Sequence, residues 1–262
     1  MNDTALLDLA AALADRAGTE IRAIRDRGFQ VEHKADRSVV TEADRAAEAI
    51  ILSGLRAALP GCTVVAEEAV AGGAVPQATA EFWLVDPLDG TREFTGGGDD
   101  FAVNIGLVRD GRPVLGVVGV PATGVLFGGI VGVGAWRQSG GARQPIAARV
   151  CPPEGLTVVA SRHHGDAATL DRFLAGRTVA RLVNFGSSLK FCRLAEGEAD
   201  LYPRFGRTME WDTCAPQAVL EAAGGAVETL EGETLRYGKP GWENPHFVCW
   251  GRRAVGARGA RG

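Results

Sequence analysis

Two carboxylates, Asp86 and Asp89, lie three residues apart in the run Trp83-Leu84-Val85-Asp86-Pro87-Leu88-Asp89-Gly90-Thr91. On a stiff turn they can converge on one hard cation, and the Leu88 carbonyl between them can point the same way. Thr91 adds a hydroxyl, and a helix beginning nearby would expose N–H groups suited to a phosphate. A plainer reading also fits, because Pro-x-Asp-Gly runs are common in turns. The other acids decide between the two. Glu67-Glu68 closes a short β-branched run, where adjacent acids repel unless cations sit beside them. Asp212, near the start of a helix after Trp211, is stabilised there as an anion and can complete an acidic cluster. Asp44 reads either as a first-turn residue complementing a helix dipole or as a carboxylate at the edge of the same site.

Two further stretches carry polar chemistry. Gly186-Ser187-Ser188-Leu189-Lys190 opens a helix, and its N–H groups, hydroxyls and cation make either an anion cradle or a plain serine cap. Ser161-Arg162-His163-His164 follows a strand end, where ligands often bind. Adjacent histidines rarely point the same way, so the pair reads as surface or substrate-side groups. No Cys or His has neighbours that would make it a nucleophile.

These residues need a scaffold. Phe82 to Val85 reads as a buried strand that delivers Asp86, with Pro87 ending the ladder because it has no N–H. Leu6, Leu9, Leu13, Ala17, Ile21 and Ile24 predict an amphipathic helix over 4–27, ended by Gly28. Thr41 and Asp44 resemble a capping box for a helix to Leu59 that buries Ala46, Ile50, Ile51 and Leu55. Phe29–Lys34 and Cys62–Ala66 read as extended, and Ala69–Ala80 as a mobile loop. Thr95–Asp100 reads as a flexible connection. Phe101–Val108, Pro113–Val120 and Gly124–Val131 form an antiparallel meander, so the sheet is not simply doubly wound. Gly132–Pro153 is weakly patterned and suggests a boundary between parts. Beyond it come strands at Leu156–Ala160 and Thr178–Phe185, a helix at Asp166–Leu174, and a short strand at Asp200–Phe205. A last helix runs to Ala223 with Pro216 in its first turn. The glycines, 36 in number, are expected mostly in turns between strands.

Bulk composition narrows the class. The 262 residues, 46% hydrophobic and 23% charged, describe an ordinary globular chain. A net charge of −4 gives no general attraction to nucleic acid, so an anionic substrate needs local cations. Five cysteines without CxxC spacing point to reduced thiols in a cytoplasmic protein. Met1–Ala12 has no basic leader-like region, and no apolar run reaches bilayer length. The arginines after position 251 read as a frayed tail.

Together, Glu67-Glu68, Asp86-Pro-Leu-Asp-Gly-Thr91 and Trp211-Asp212 resemble, in order, the signatures of the inositol monophosphatase superfamily. Gly186-Ser-Ser-Leu-Lys-Phe-Cys192, Ala195-Glu-Gly197 and Leu201-Tyr-Pro-Arg-Phe-Gly206 are similar to its 3′(2′),5′-bisphosphate nucleotidase branch, the CysQ type. Arg-Glu-Phe94 after Thr91 is similar to that branch too. The likeness runs from about Lys34 to Trp250. It implies a layered α/β/α/β/α sandwich with mixed and antiparallel strands. It implies an N-terminal α/β part over 1–145 carrying most metal ligands. A C-terminal part over 146–262 would carry Asp212 and the substrate-selecting residues. Carried over by position, Glu67, Asp86, the Leu88 carbonyl, Asp89 and Asp212 bind two or three Mg²⁺ ions. Glu67 and Thr91 orient the attacking water, with Asp44 polarising Thr91. Gly90 and Thr91 contact the phosphate, while Ser187, Lys190, Tyr202, Arg204 and Asp212 face the nucleotide. Two departures, Ser38-Val39-Val40-Thr41 for Ser-Pro-Val-Thr and Ala69 for an acid, fall outside the ligand set.

The implied activity is Mg²⁺-dependent hydrolysis of adenosine 3′,5′-bisphosphate to AMP, extending to its sulfated analogue PAPS, within sulfur metabolism and with lithium sensitivity. The expected setting is the cytoplasm, with membrane association at most peripheral, on the inner-membrane face. The oligomer is left as monomer or homodimer, with no nucleic-acid partner. Two rivals stay open: a phosphatase for inositol, fructose or histidinol phosphates, and a non-catalytic metal- or phosphate-binding protein.

Overall fold

The computed structural model describes residues 1–33, 39–74, 76–161 and 167–252. Lys34–Ser38, the Arg162-His163-His164 run, Asp166 and the arginine tail from Arg253 lie outside them. Helix α1 (Asp3–Arg27) starts where the Asn2 side chain accepts the Ala5 N–H at 2.9 Å. It buries Leu6, Leu13, Ala17, Ile21 and Ile24 as their spacing predicts, with Leu9 half-buried at the edge. A small antiparallel pair follows, β1 (Val31–His33) with β2 (Val39–Thr41). The capping box is present: Thr41 and Asp44 close the start of α2 (Glu42–Ala58). The inward face of α2 is Ala43, Asp44, Ala47, Glu48, Ile51 and Leu55, while Ala46 and Ile50 are only half-buried. Two inward carboxyls therefore shift the buried face from the one that apolar spacing alone predicts.

The first sheet follows. It contains β3 (Val64–Ala66), then, after helix α3 (Glu67–Ala71), β4 (Glu81–Asp89). Helix α4 (Thr91–Thr95) leads to β5 (Ala102–Arg109), β6 (Arg112–Val120), β7 (Val125–Ile130), β8 (Gly134–Ser139) and β9 (Gln144–Ile146). The seven strands lie in chain order, β3 parallel to β4 and each later pair antiparallel. The second sheet holds β10 (Leu156–Ser161), then, past α5 (Ala167–Leu174), β11 (Val179–Phe185). Helix α6 (Leu189–Ala195), β12 (Leu201–Arg204), α7 (Glu210–Ala222), β13 (Ala226–Thr229) and β14 (Phe247–Trp250) complete the chain. Its strand order is β11-β10-β12-β14-β13.

The layers are those of an α/β/α/β/α sandwich. Helices α1 and α2 cover one face of the first sheet, α6 and α7 lie between the sheets, and α5 packs on the outer face of the second. One apolar cluster joins the parts, from Phe82 and Leu84 through Phe191, Trp211 and Leu220 to Phe247. No helix among the described residues is long and apolar enough to cross a membrane.

Several local expectations change. Gly132–Pro153 is no simple boundary, because β8 and β9 continue the first sheet through it. Strand β4 runs past Pro87, but register slips between Asp86 and Asp89, where the missing N–H leaves a bulge. The acids Glu67-Glu68 open a short helix instead of ending the strand, and that helix takes the first residues of the expected 69–80 loop. Segment 95–100 is pinned, with Arg25 bonded to Asp99 and to the Gly97 carbonyl. Pro216 is the seventh residue of α7, so it supplies no N–H to the Asp212 carbonyl four residues back.

Not all glycines mark turns. Gly106, Gly116 and Gly129 are register partners across β5, β6 and β7. A Cβ on Gly106 would stand 2.7 Å from Cys214 Sγ, and one on Gly116 would stand 2.3 Å from the Ala215 carbonyl oxygen. The row is a groove into which α7 settles, and α7 carries Asp212 at its first turn.

Candidate active site

Each functional side chain hangs on an element end. Parallel strands β3 and β4 finish side by side and deliver Glu67 and Asp86, while Asp89 and Thr91 follow on the bulge and on α4. Gly90 makes the turn possible with φ +91°. A Cβ there would stand 2.9 Å from the Asp100 carbonyl oxygen, so the position is closed to side chains. Asp212 arrives from the second half on α7. Glu67, Asp86, Leu88, Asp89, Gly90, Thr91 and Asp212 all line one cavity of about 260 Å³. Ser187, Lys190, Tyr202 and Arg204 line it too.

Backbone donors orient the acids. Asp86 Oδ1 accepts the Leu88 N–H at 3.0 Å, Asp89 Oδ2 accepts the Ser188 N–H, and Asp212 Oδ2 accepts the Met209 N–H at 2.8 Å. Burial pushes Asp86 well above the usual carboxylate range, and the charges of Glu67, Asp89 and Asp212 push the same way. Burial raises Asp212 likewise, reinforced by Asp89 and Glu67. Asp89 is raised by burial against the opposing pull of the Lys190 charge. Carboxylates that raise one another in a shared cavity form a donor set short of positive charge.

A hard divalent ion suits that set. Among the described residues the cavity lining contains carboxylate, carbonyl and hydroxyl oxygens but no His or Cys, a set that suits Mg²⁺ better than zinc or copper. Among the described residues no three such side chains form a ready-made metal cage. Mg²⁺ does not require one, since it keeps waters and binds through one or two carboxylates plus a substrate phosphate.

The Thr91–Asp44 pair expected from the resemblance is present. Thr91 Oγ1 lies 3.0 Å from Asp44 Oδ1 and 3.0 Å from the Leu88 carbonyl, so its single proton serves one of them at a time. Asp44, 2% exposed, also accepts from the Thr41 N–H and hydroxyl. Its two roles, helix cap and Thr91 partner, are both present.

The Gly186–Lys190 turn departs from an open anion cradle. The Gly186 N–H donates to Asp100 and the Ser188 N–H to Asp89, so these donors already serve carboxylates from the first half of the chain. A turn buried between two sheets must satisfy its N–H groups there. Ser187 takes a positive φ of 45°, and its Oγ accepts the Leu189 N–H at 3.4 Å. Lys190 is 3% exposed and caps the carbonyls of Phe185 and Ser187, its ammonium over the Tyr202 ring. Burial lowers it to about 8, against the pull of Asp89. Tyr202 packs edge-on against Phe191 and Phe247, and Arg204 donates to the Arg207 carbonyl.

Four residues escaped the sequence. Asn104 is fully buried beside Asp86 in the ladder and accepts the Ser188 hydroxyl at 2.8 Å. An Asn inside the apolar run Phe101–Val108 was its signal, because a buried amide needs partners. Arg92 and Arg207 line the cavity, and nothing in their spacing marks them. Glu48 sits behind Glu67 and Glu68, one turn beyond Asp44; its helical spacing from Asp44 was the available signal.

The chain is similar to known proteins over nearly its whole length. The model of the inositol monophosphatase family matches residues 2–257. The 3′(2′),5′-bisphosphate nucleotidase CysQ of Escherichia coli (strain K12) is 43% identical over 245 residues, 92% of this chain and 98% of that protein. The crystal structure of CysQ from Bacteroides thetaiotaomicron superposes with a TM-score of 0.80 at 34% identity, covering 95% of this chain and 98% of the other. Inositol monophosphatase from Anabaena (Nostoc) sp. PCC 7120 follows with a TM-score of 0.76 at 26% identity, covering 95% and 92%. With the family signature spanning nearly its whole length, the chain belongs to the inositol monophosphatase family.

Proposed function

We propose that this chain is a Mg²⁺-dependent 3′(2′),5′-bisphosphate nucleotidase that hydrolyses adenosine 3′,5′-bisphosphate to AMP and phosphate. The sulfated analogue PAPS would give APS by the same cleavage. The observation that carries the reading is the convergence of Glu67, Asp86, Asp89, Asp212 and the Thr91–Asp44 pair on one cavity. Greater identity to the bisphosphate nucleotidases than to inositol monophosphatase supports the substrate.

Glu67, Asp86, Asp89, Asp212 and the Leu88 carbonyl would hold the metal. Bound there, Mg²⁺ would offset phosphate charge, acidify a water and stabilise the leaving alkoxide. Glu67 and Thr91 orient the attacking water, and Asp44 takes the Thr91 hydroxyl proton into its hydrogen bond. Water oxygen bonds to phosphorus as the phosphorus–ribose oxygen bond breaks, with no covalent enzyme intermediate. Gly90 and Thr91 receive the phosphate on α4. Arg204 and Tyr202 face the nucleotide, while the buried Lys190 charge balances Asp89 and shapes the Ser187 turn. In this scheme residues 1–145 supply most ligands and 146–262 supply Asp212 and the substrate wall. Lithium would compete with Mg²⁺ at the acids.

The test is phosphate release from adenosine 3′,5′-bisphosphate, PAPS, inositol 1-phosphate, fructose 1,6-bisphosphate and histidinol phosphate under one set of Mg²⁺ conditions. The proposal expects the adenosine bisphosphates to give the highest kcat/KM. Preference for a sugar or histidinol phosphate would reassign the substrate, and no Mg²⁺-dependent release from any would leave a binding protein.

A further inference from the structure

We propose that Glu48 is a positioning residue for the metal site, holding the backbone from which Glu67 projects. The inference rests on the reading of Glu67 as a metal ligand. Helix α3 begins at Glu67, and its preceding residue, Ala66, has no side chain able to cap it. The first N–H groups of a helix need acceptors from elsewhere. Glu48 provides one across the interface between α2 and α3. Its Oε2 accepts the Glu68 N–H, on the peptide that follows Glu67, at 2.8 Å.

The arrangement joins two parts of the site through one helix. Asp44 and Glu48 are four residues apart on α2 and so share a face. Asp44 reaches Thr91, and Glu48 reaches the turn that starts with Glu67. The water-orienting hydroxyl and the Glu67 carboxylate are thereby referenced to a single rigid element. Stability alone does not account for Glu48. It is 7% exposed, and the charges of Glu68 and Glu67 face it. A carboxyl in such surroundings is costly, and an apolar side chain of similar volume would pack there more favourably. What an apolar side chain cannot do is accept the Glu68 N–H.

Three variants separate positioning from packing. Glu48→Leu keeps the volume without an acceptor, Glu48→Ala removes both, and Glu48→Gln keeps an acceptor without the charge. Mn²⁺ alone is titrated into metal-free protein, and the free-ion signal is followed by electron paramagnetic resonance. Thermal melts without metal confirm that each variant is folded. Partners of metal ligands typically contribute ten- to hundredfold in affinity. Glu48→Leu and Glu48→Ala should therefore weaken Mn²⁺ binding by about tenfold or more. Glu48→Gln should bind close to wild type. Should neither deletion variant fold, an affinity for Glu48→Gln near wild type sustains the acceptor role, and a tenfold loss overturns it. Wild-type affinity in folded Glu48→Leu or Glu48→Ala would overturn the inference while leaving the metal site standing. No Mn²⁺ binding by the wild type would overturn the metal-site reading and this inference together.

Discussion

Adding one methyl group at Gly116 should disable the site from the far side of α7. In the glycine groove a Cβ at Gly116 would stand 2.3 Å from the Ala215 carbonyl oxygen and 2.6 Å from Ala215 Cα. Carbon contacts under 3.0 Å are essentially not tolerated, so α7 must retreat by about 0.7 Å. Asp212 lies one turn from Ala215 on that helix and moves with it. A displacement of about 1 Å at a catalytic group can cost on the order of 100-fold in rate. Gly116→Ala should accordingly lower kcat by about ten- to hundredfold, and overpacking should lower stability by about 1–3 kcal/mol. Gly128→Ala is the control. Its methyl would meet Trp136 Cζ2 at 2.2 Å, on β7 and away from the cavity, so it strains the core without moving Asp212. The assay is phosphate release at saturating substrate and Mg²⁺, below the melting temperature of both variants. Full kcat in Gly116→Ala, or an equal loss in Gly128→Ala, would refute the claim that the groove seats Asp212.

Other outcomes follow from the same geometry. Lys190→Ala should lower kcat/KM for the bisphosphate and for a simple sugar phosphate alike, because its buried ammonium holds two carbonyls and balances Asp89; a loss confined to the bisphosphate would instead make Lys190 a substrate contact. Glu48 sets a pH dependence, because burial raises it to about 7 from its ordinary 4.5. The folded chain holds a proton there that the unfolded chain has lost, so this contribution is complete below about pH 4.5 and vanishes as pH rises through about 7. Urea unfolding of chelator-treated protein at pH 5 and pH 8 should show a larger drop for wild type than for Glu48→Gln, and identical drops would contradict it. LiCl titrated at fixed Mg²⁺ should inhibit turnover, with relief as Mg²⁺ increases; inhibition insensitive to Mg²⁺ would place lithium elsewhere.

How far the sequence reached depended on the range of the interactions. Asp86, Asp89 and Thr91 were legible because a strand, a proline and a glycine fix their relation within a few residues. The Thr41–Asp44 cap was legible for the same reason. The meander was readable from hairpin turns, whereas β8 and the edge strand β9 were not, because short, half-exposed polar strands show little apolar alternation. Lys190 reads as an anion ligand in isolation, yet tertiary packing commits its ammonium to two carbonyls. The role of Gly116 depends on Ala215, nearly a hundred residues away, and no local pattern carries that contact. Asn104 and Glu48 are intermediate cases. A buried polar residue in an apolar run can be noticed, but its partners come only from the fold.

The central claim is that Glu67, Asp86, Asp89 and Asp212 act together as one divalent-ion site. Isothermal titration of Mg²⁺ into the metal-free chain tests it most directly, with Asp86→Asn and Asp212→Asn run beside wild type. Saturable binding by the wild type, lost in both folded variants along with Mg²⁺-dependent phosphate release, is the predicted result. Wild-type Mg²⁺ affinity and turnover in either variant would contradict it.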